Sequence, residues 1–406
     1  MATEATTRLL DLPVPGIDAI ESGPRKVSWH PGAINPALRT SRYLSPLRYP
    51  GAKSLLYPVL GGIFEGAIER AGMSFDLLVE PFAGGASTSL RLVAEGKVER
   101  VLLADADPVV AAFWQVAAAD TDYIIDRMHD EYARYVDVGG AAALARWDHW
   151  KHWTPTPGDS NASVRRDRAM RCLFLNRTTF SGILHGRAGP LGGRAQTSKH
   201  TIGCRFNPDD LAERLRFIEH LYRSNRLVDV WRADWRTTLD TIASRYKLLL
   251  PDNVVAYLDP PYLTKSERLY PEAAGAFPHA ELAAYLRSEA RFRWVLSYDN
   301  DPALFEPPLY AARRMKSDPS TGVSAWFINS MIAPHNYSAS AKSGRGARSE
   351  AILTSLPKRA LPHRTGQKAP GGISQRCPEF DGKQHFQLLI HEKSHIDSNN
   401  SPEGPN

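Results

Sequence analysis

The sequence has 406 residues, of which 43% are hydrophobic and 23% charged, the composition of an ordinary globular chain rather than of a fibre or a small cross-linked peptide. Its apolar runs, such as Val101-Leu102-Leu103 and Lys247-Leu248-Leu249-Leu250, fall far short of the roughly 20 residues that a membrane helix needs, so no membrane role is expected. The formal net charge of +6 suits a polyanionic partner, and where that charge sits decides what it means.

In chain order, residues 1–42 have no sustained apolar period, and Pro13, Pro15, Pro24, Pro31 and Pro36 interrupt any helix there. This stretch reads as a flexible N-terminal arm. It carries Glu4, Asp11, Asp18 and Glu21 and lacks the basic start and apolar core of a secretory signal, which predicts a cytoplasmic location. From Tyr43 to Leu356 short apolar runs alternate with amphipathic stretches, the pattern of an α/β sheet. Strands are predicted at 75–80, 100–104, 226–231, 254–258, 292–297 and 351–355, and helices at 55–70, 87–95, 108–118, 208–222 and 278–290. Residues 357–406 turn polar and rich in Pro, Gly and Ser, so they read as a mobile C-terminal tail in which only 386–390 could pair as a strand. Cys172, Cys204 and Cys377 are odd in number and far apart, which predicts reduced, buried thiols and no metal site.

One block breaks the alternation. Residues 161–206 contain Arg165, Arg166, Arg168, Arg171, Arg177, Arg187, Arg194, Lys199 and Arg205 against the single acid Asp167. Asn176, Thr178, Thr179, Ser181 and Gln196 add side chains that can bond base edges, and 186–193 is a glycine-containing loop. A solvated helix face is the plain alternative, but nine bases against one acid favour a polyanion surface.

Two segments carry the chemistry. Leu77-Leu78-Val79-Glu80-Pro81-Phe82-Ala83-Gly84-Gly85-Ala86-Ser87 reads as a buried strand, a tight small-residue turn and a helix start capped near Ser87, a place where a ligand can approach the backbone. No Walker lysine follows, so a nucleoside triphosphate is not indicated. The next strand ends in Asp105, placed to accept hydrogen bonds from a ribose. Further on, Val254-Val255-Ala256-Tyr257-Leu258 leads directly into Asp259-Pro260-Pro261-Tyr262. A carboxylate leaves a buried strand, two prolines remove competing N–H donors, and an aromatic ring follows. That arrangement suits an exocyclic amine held by Asp259 and a proline-region carbonyl, with its ring stacked on Tyr262; a turn capping the sheet is the plain alternative.

With these motifs in order, the chain resembles the Dam-like, alpha-group family of adenine-N6 DNA methyltransferases. Leu47-Arg48-Tyr49-Pro50-Gly51-Ala52-Lys53 looks like the family's amino-terminal cofactor motif, Glu80 to Ser87 like its glycine loop, and Leu103-Ala104-Asp105 like its ribose-binding acid. Leu175-Asn176-Arg177-Thr178-Thr179-Phe180-Ser181-Gly182 looks like the start of its target-recognition segment. Ala233-Asp234-Trp235 corresponds to the Asp-aromatic pair near the cofactor adenine, Asp259 to Tyr262 to the catalytic motif, and Ser297-Tyr298-Asp299 to a later strand motif. Ala86 stands where many relatives have a third glycine, and Tyr49 where a tryptophan is also found.

The resemblance implies a doubly wound, mostly parallel Rossmann-like sheet from 43–119 and 226–356, with an inserted, largely helical recognition region at 120–225. It implies methyl transfer from S-adenosylmethionine to N6 of a flipped-out adenine in double-stranded DNA, in a restriction-modification, phage-defence or epigenetic setting with a cognate restriction enzyme or defence partner. Catalysis falls to Asp259, Pro260, Pro261 and Tyr262. Cofactor contacts fall to Tyr49, Lys53, Glu80, Phe82, Ala83, Gly84, Gly85, Ser87, Asp105, Asp234 and Trp235. DNA contacts are expected from Arg165, Arg166, Asn176, Arg177, Thr178, Arg187, Arg194 and Lys199. Cytosine-N4 methylation is the nearest rival, and Asp rather than Ser at position 259 favours adenine. A catalytically inactive DNA-binding or regulatory protein of the same fold is the other alternative; such a protein would dispense with Asp259 or Tyr262, and both are present. No paired acid with Lys in the tail supports a fused nuclease.

Overall fold

The Val- and Leu-rich runs pair into one seven-stranded sheet of order β3-β2-β1-β4-β5-β7-β6. Strands β1 (Leu77–Glu80), β2 (Arg100–Asp105), β3 (Leu227–Arg232), β4 (Val254–Leu258) and β5 (Arg293–Asp299) are mutually parallel. Beyond them β7 (Arg348–Thr354) pairs antiparallel with β5, and β6 (Asn329–His335) pairs antiparallel on its far side. The computed structural model describes residues 44–48, 56–263, 277–311, 327–335 and 348–362. Tyr49, Lys53, the arm, the tail after residue 362 and the 386–390 segment lie outside the described residues.

The central strands are apolar on both faces because both faces are covered. Leu78, Val101, Leu103, Val255 and Tyr257 point into one core, and their neighbours Leu77, Val79, Leu102, Val254 and Ala256 into another, as the two-residue period of a strand requires. The first face is covered by α1 (Tyr57–Glu69), α2 (Ser87–Ala94) and α3 (Pro108–Ala119), the second by α8 (Trp235–Arg245) and α9 (His279–Ser288). This is a mixed α/β architecture, a mostly parallel Rossmann-like sheet with helices on both faces.

Between β2 and β3 the chain forms α4 (Thr121–Glu131), a π-helical turn, α5 (Gly140–His152), α6 (Asn161–Thr178) and α7 (Pro208–Arg223). These helices share the first core: Met128, Trp147, Trp150, Leu173 and Phe174 belong to the same apolar cluster as Leu78 and Leu103. A deeply buried acid among them, Glu131, is compensated by Arg146, Arg127 and the Trp150 indole N–H. Such a buried charge is tolerable only because it is paired.

Three sequence expectations are corrected. β6 was not expected, because Asn-Ser-Met-Ile-Ala-Pro-His has little alternation; it forms at the sheet edge, where a proline is tolerated, by pairing with β7. Cys172 is buried as expected, but Cys204 is exposed in a turn. The cap of α2 is Ala86 rather than Ser87, and no side chain completes it. Among the described residues no helix is long and apolar enough to cross a membrane.

Ala86 sits at φ +45°, in the left-handed region, with its N–H donating to the Ala83 carbonyl at 2.5 Å. An L-residue there costs about 1 kcal/mol, and its buried methyl contributes roughly 0.8 kcal/mol. Ala86→Gly should therefore unfold in denaturant within about 1 kcal/mol of the unaltered protein. Ala86→Val, β-branched in the same conformation, should lose about 2 kcal/mol or more.

Candidate active site

The chain builds β1, β2 and β3 outward in one direction and then crosses back to lay β4 on the other side of β1. Open sheets of this kind bind ligands at the carboxyl ends of the strands flanking such a reversal. The register Leu77 to Val254, Leu78 to Val255 and Val79 to Ala256 brings the end of β1 beside the end of β4. Glu80 and the Asp259 turn therefore emerge side by side.

The glycine loop is held at both its polar edges. Asp105 Oδ2 accepts the Gly84 N–H at 2.9 Å, the Ala83 N–H donates to the Ala104 carbonyl at 2.9 Å, and the buried Trp114 indole donates to the Gly84 carbonyl at 2.9 Å. Asp105 Oδ1 accepts the N–H of Asp107 at 2.9 Å. Asp107 in turn caps α3 by accepting the Val109 N–H at 2.8 Å, and its other oxygen lies 2.5 Å from His185 Nε2. Burial, with the charge of Asp107 adding, pushes the Asp105 carboxyl up to about 7. Burial acts the same way on Asp107, but the His185 hydrogen bond and charge outweigh it and hold that carboxyl below its usual range.

Glu80 is 3% exposed, and its Oε2 has no hydrogen-bond partner among the described residues. Burial raises its carboxyl well above the ordinary range, and the charges of Asp259 and Asp105 raise it further. Three acids thus stand close together at the strand ends, near enough for the charges of Asp259 and Asp105 to act on Glu80. Asp259 is half-buried and accepts the Ser297 hydroxyl of β5 at 3.2 Å; Pro260 is buried. The Tyr262 hydroxyl donates to Glu350 Oε1 of β7 at 2.9 Å, and the ring packs on the second core. Phe82 is half-buried, its ring edge-on to Phe277 at 5.6 Å, and the contacts continue through His279 to Tyr298.

Ala83, Gly84 and Gly85 are buried in the loop, and Ser87 opens α2 half-buried. Asp234 is an exposed helix cap: its two oxygens accept the Thr237 N–H at 2.9 Å and the Thr237 hydroxyl at 2.7 Å. Trp235, expected beside the cofactor adenine, gives its ring to the core instead, edge-on to Tyr285 at 5.6 Å. Only its backbone N–H, in the first helical turn, is left for a ligand.

Three of the expected DNA contacts are likewise corrected. Asn176 is fully buried and clamps Arg48, accepting its N–H at 2.6 Å and donating to its carbonyl at 2.5 Å while also reaching the Gly182 carbonyl at 3.2 Å. The buried Arg177 donates to the Pro46 carbonyl; burial, with Arg214 and Arg48 adding, lowers its guanidinium to about 9. The Thr178 hydroxyl is buried against the Phe174 carbonyl at 2.6 Å. Asn176 and Arg177 thus anchor the segment that leads into Tyr49. Arg187 and Lys199 are exposed and Arg165 is half-buried. Arg166 is exposed but pairs with Asp120 at 2.6 Å, and Arg194 is exposed but pairs doubly with Asp148 at 2.6 Å.

Two residues were missed. Phe180 is 48% exposed on a turn in which Ser181 adopts φ +55°, and an aromatic amid polar recognition residues was a signal available in the sequence. His185 had no such signal, since its partner Asp107 lies far away in the chain.

Residues 49–188 match the family model of the D12 class N6 adenine-specific DNA methyltransferase. The match spans about a third of the chain and supports DNA adenine-N6 methylation as its activity. No curated protein in the comparison matches it. The enzyme takes its methyl group from S-adenosylmethionine, as methyltransferases of this class do. The site suits that donor, which carries a sulfonium and an ammonium: Glu80 offers a buried carboxylate oxygen with no partner among the described residues, and cationic charge nearby favours the ionised forms of Glu80 and Asp105. The matched segment holds the glycine loop, Asp105 and the recognition turn; Asp259 lies after it.

Because Asn176 bonds the chain and not DNA, Asn176→Ala should lower stability by about 2 kcal/mol, the cost of leaving buried backbone groups of residue 48 unpaired. The slope of DNA affinity against salt should stay that of the unaltered enzyme. Denaturant unfolding and salt-dependent DNA binding check the two halves.

Proposed function

We propose that the enzyme extrudes an adenine from double-stranded DNA into the crevice between the ends of β1 and β4, where Asp259 holds its amino group for methylation. The observation that carries this is the placement of the Asp259 turn directly beside the glycine loop, across the reversal of strand order. S-adenosylmethionine, when bound, supplies a methyl group already activated by its sulfonium charge.

Asp259 accepts one N6–H of the adenine, which draws electron density back onto a nitrogen whose lone pair is otherwise delocalised into the ring. Ser297 fixes the carboxylate from the neighbouring strand. Pro260 and Pro261 have no N–H, so the carbonyls of the turn remain available for the second N6–H. Tyr262 offers a face for the base, with its hydroxyl tethered to Glu350. Methyl transfer forms an N–C bond in place of the donor's S–C bond, whose electron pair stays on sulfur, and one N6 proton leaves on the Asp259 side.

Extrusion costs a few kcal/mol, offset by stacking and by phosphate contacts. Arg187 and Lys199 are exposed and Arg165 half-exposed in the recognition region, and they supply positive charge there, while Arg166 and Arg194 are paired with Asp120 and Asp148. Phe180 is the exposed aromatic there and is suited to fill the stack that the base vacates, as apolar wedges do. N6 of adenine projects into the major groove, where a methyl group is read by other proteins. That supports a restriction-modification, defence or epigenetic role with a nuclease or defence partner, carried out in the cytoplasm beside its DNA.

Asp259→Ala should abolish methyl transfer while the protein still folds and binds cofactor, since the glycine loop and Asp105 stand on other strands. Tyr262→Phe should be mild and Tyr262→Ala severe, a stacked base being worth roughly 1–3 kcal/mol. Transfer of labelled methyl groups to unmethylated DNA, with melting as the folding control, reads all three; full activity in folded Asp259→Ala would sink the mechanism.

Cofactor binding should also depend on pH. Below about 7 the Asp105 carboxyl is protonated in the free protein, whereas ribose bonding and a cationic ligand favour its ionised form. Binding therefore expels a proton, and affinity should rise with pH up to about 7 and then level. Calorimetry in buffers of different ionisation enthalpy should show the release at mildly acidic pH, and Asp105→Asn should remove it.

A further inference from the structure

The recognition turn and the cofactor site touch at two places, and the touching groups are polar, buried or half-buried, and specific. At the first, Asn176 joins the Gly182 carbonyl of the turn to Arg48, which leads into the cofactor motif. Gly182 is at φ +73°, and a Cβ there would come within 2.4 Å of the Arg48 carbonyl oxygen, so the turn is seated directly on that segment. At the second, His185 lies only three residues beyond Gly182 and reaches Asp107 at 2.5 Å. An ionised carboxylate only accepts, so the His185 Nε2 carries the proton of this bond.

Asp107 is not an isolated surface acid. It caps α3, whose Trp114 holds the Gly84 carbonyl, and its own N–H is bonded by Asp105, which also holds the Gly84 N–H. A displacement of the recognition turn is thereby transmitted through one side chain to both edges of the glycine loop. Phe180, the exposed aromatic of the same turn, is the part of it that DNA would move.

We propose that His185 is a positioning residue that couples DNA recognition to cofactor binding: seating the recognition turn on DNA sets the His185–Asp107 bond, and through Asp107 and Asp105 sets the glycine loop that binds the cofactor. The proposal rests on the assignment of the glycine loop and Asp105 to the cofactor and of the turn to DNA. Its consequence is reciprocal, since coupled sites must strengthen each other by the same factor. His185 touches neither substrate nor cofactor; it acts through Asp107.

The test measures binding of S-adenosylhomocysteine, the non-reactive product, by calorimetry with and without a duplex that the unaltered enzyme methylates. In the unaltered enzyme the duplex should tighten binding about tenfold, within the usual range for coupled sites. His185→Ala should reduce that factor to within about twofold of unity, raise KM for S-adenosylmethionine, and leave kcat at saturating cofactor within about threefold. His185→Gln, which keeps a donor for Asp107, should restore most of the coupling. Asp107→Ser keeps an oxygen to cap α3 but is too short for His185. It should lose the same factor, with no further loss when combined with His185→Ala, so the proposal stays testable even where one variant folds poorly. Undiminished coupling in either folded single variant, or no coupling in the unaltered enzyme, overturns the proposal. Failure of the unaltered enzyme to bind cofactor or methylate any duplex would instead overturn the site assignment beneath it.

Discussion

Asp105 accepts two backbone N–H groups, one from Gly84 and one from Asp107, and most of the working geometry hangs on those two bonds. The first draws the glycine loop onto the end of β2; the second sets the turn into α3, whose indole at Trp114 returns to the loop's other side. A carboxylate so enclosed resists ionisation, and the charge of neighbouring Asp107 makes that resistance stronger. A cationic ligand beside it would relieve that cost. Stored acidity of this kind is a common mark of a binding site rather than of a purely structural one.

The helical region between β2 and β3 is joined to the sheet by a shared core and by polar struts, not by a linker. Glu131 with Arg146, Asn176 with Arg48, and His185 with Asp107 each tie it to itself or to the cofactor side. The bonds at Gly182 and His185 tie the exposed turn to the elements that carry the glycine loop. Alignment of the two matters because methyl transfer depends on it, and misplacement by an ångström is costly.

Much of the fold was legible in the sequence. Runs such as Leu77-Leu78-Val79 and Val254–Leu258 are apolar at every position because helices cover both faces of the sheet, and Pro108 and Pro208 after Asp107 and Asn207 mark helix starts by capping chemistry that is local. The Asp259 tetrapeptide was legible for the same reason: its message is contained in four adjacent residues. What the sequence hid was long-range. Asn176 and Arg177 share a helix with exposed arginines and have the side chains of DNA readers, yet they are buried because Pro46 and Arg48 pack above them, more than a hundred residues away in the chain. Trp235 likewise follows a helix-capping acid and looked like a stacking platform, but Tyr285 on α9 claims its ring. Residue type announced a capability in each case, and tertiary packing decided its use.

The central claim is that a carboxylate leaving β4 beside the glycine loop directs a methyl group to the amine of an extruded adenine. Its most direct test is the identity of the modified nucleoside. Unmethylated DNA incubated with the enzyme and S-adenosylmethionine, then digested to nucleosides and resolved by mass spectrometry, should yield N6-methyldeoxyadenosine, and Asp259→Ala should yield none. N4-methyldeoxycytidine from the unaltered enzyme, or undiminished N6-methyldeoxyadenosine from the folded variant, would contradict the account.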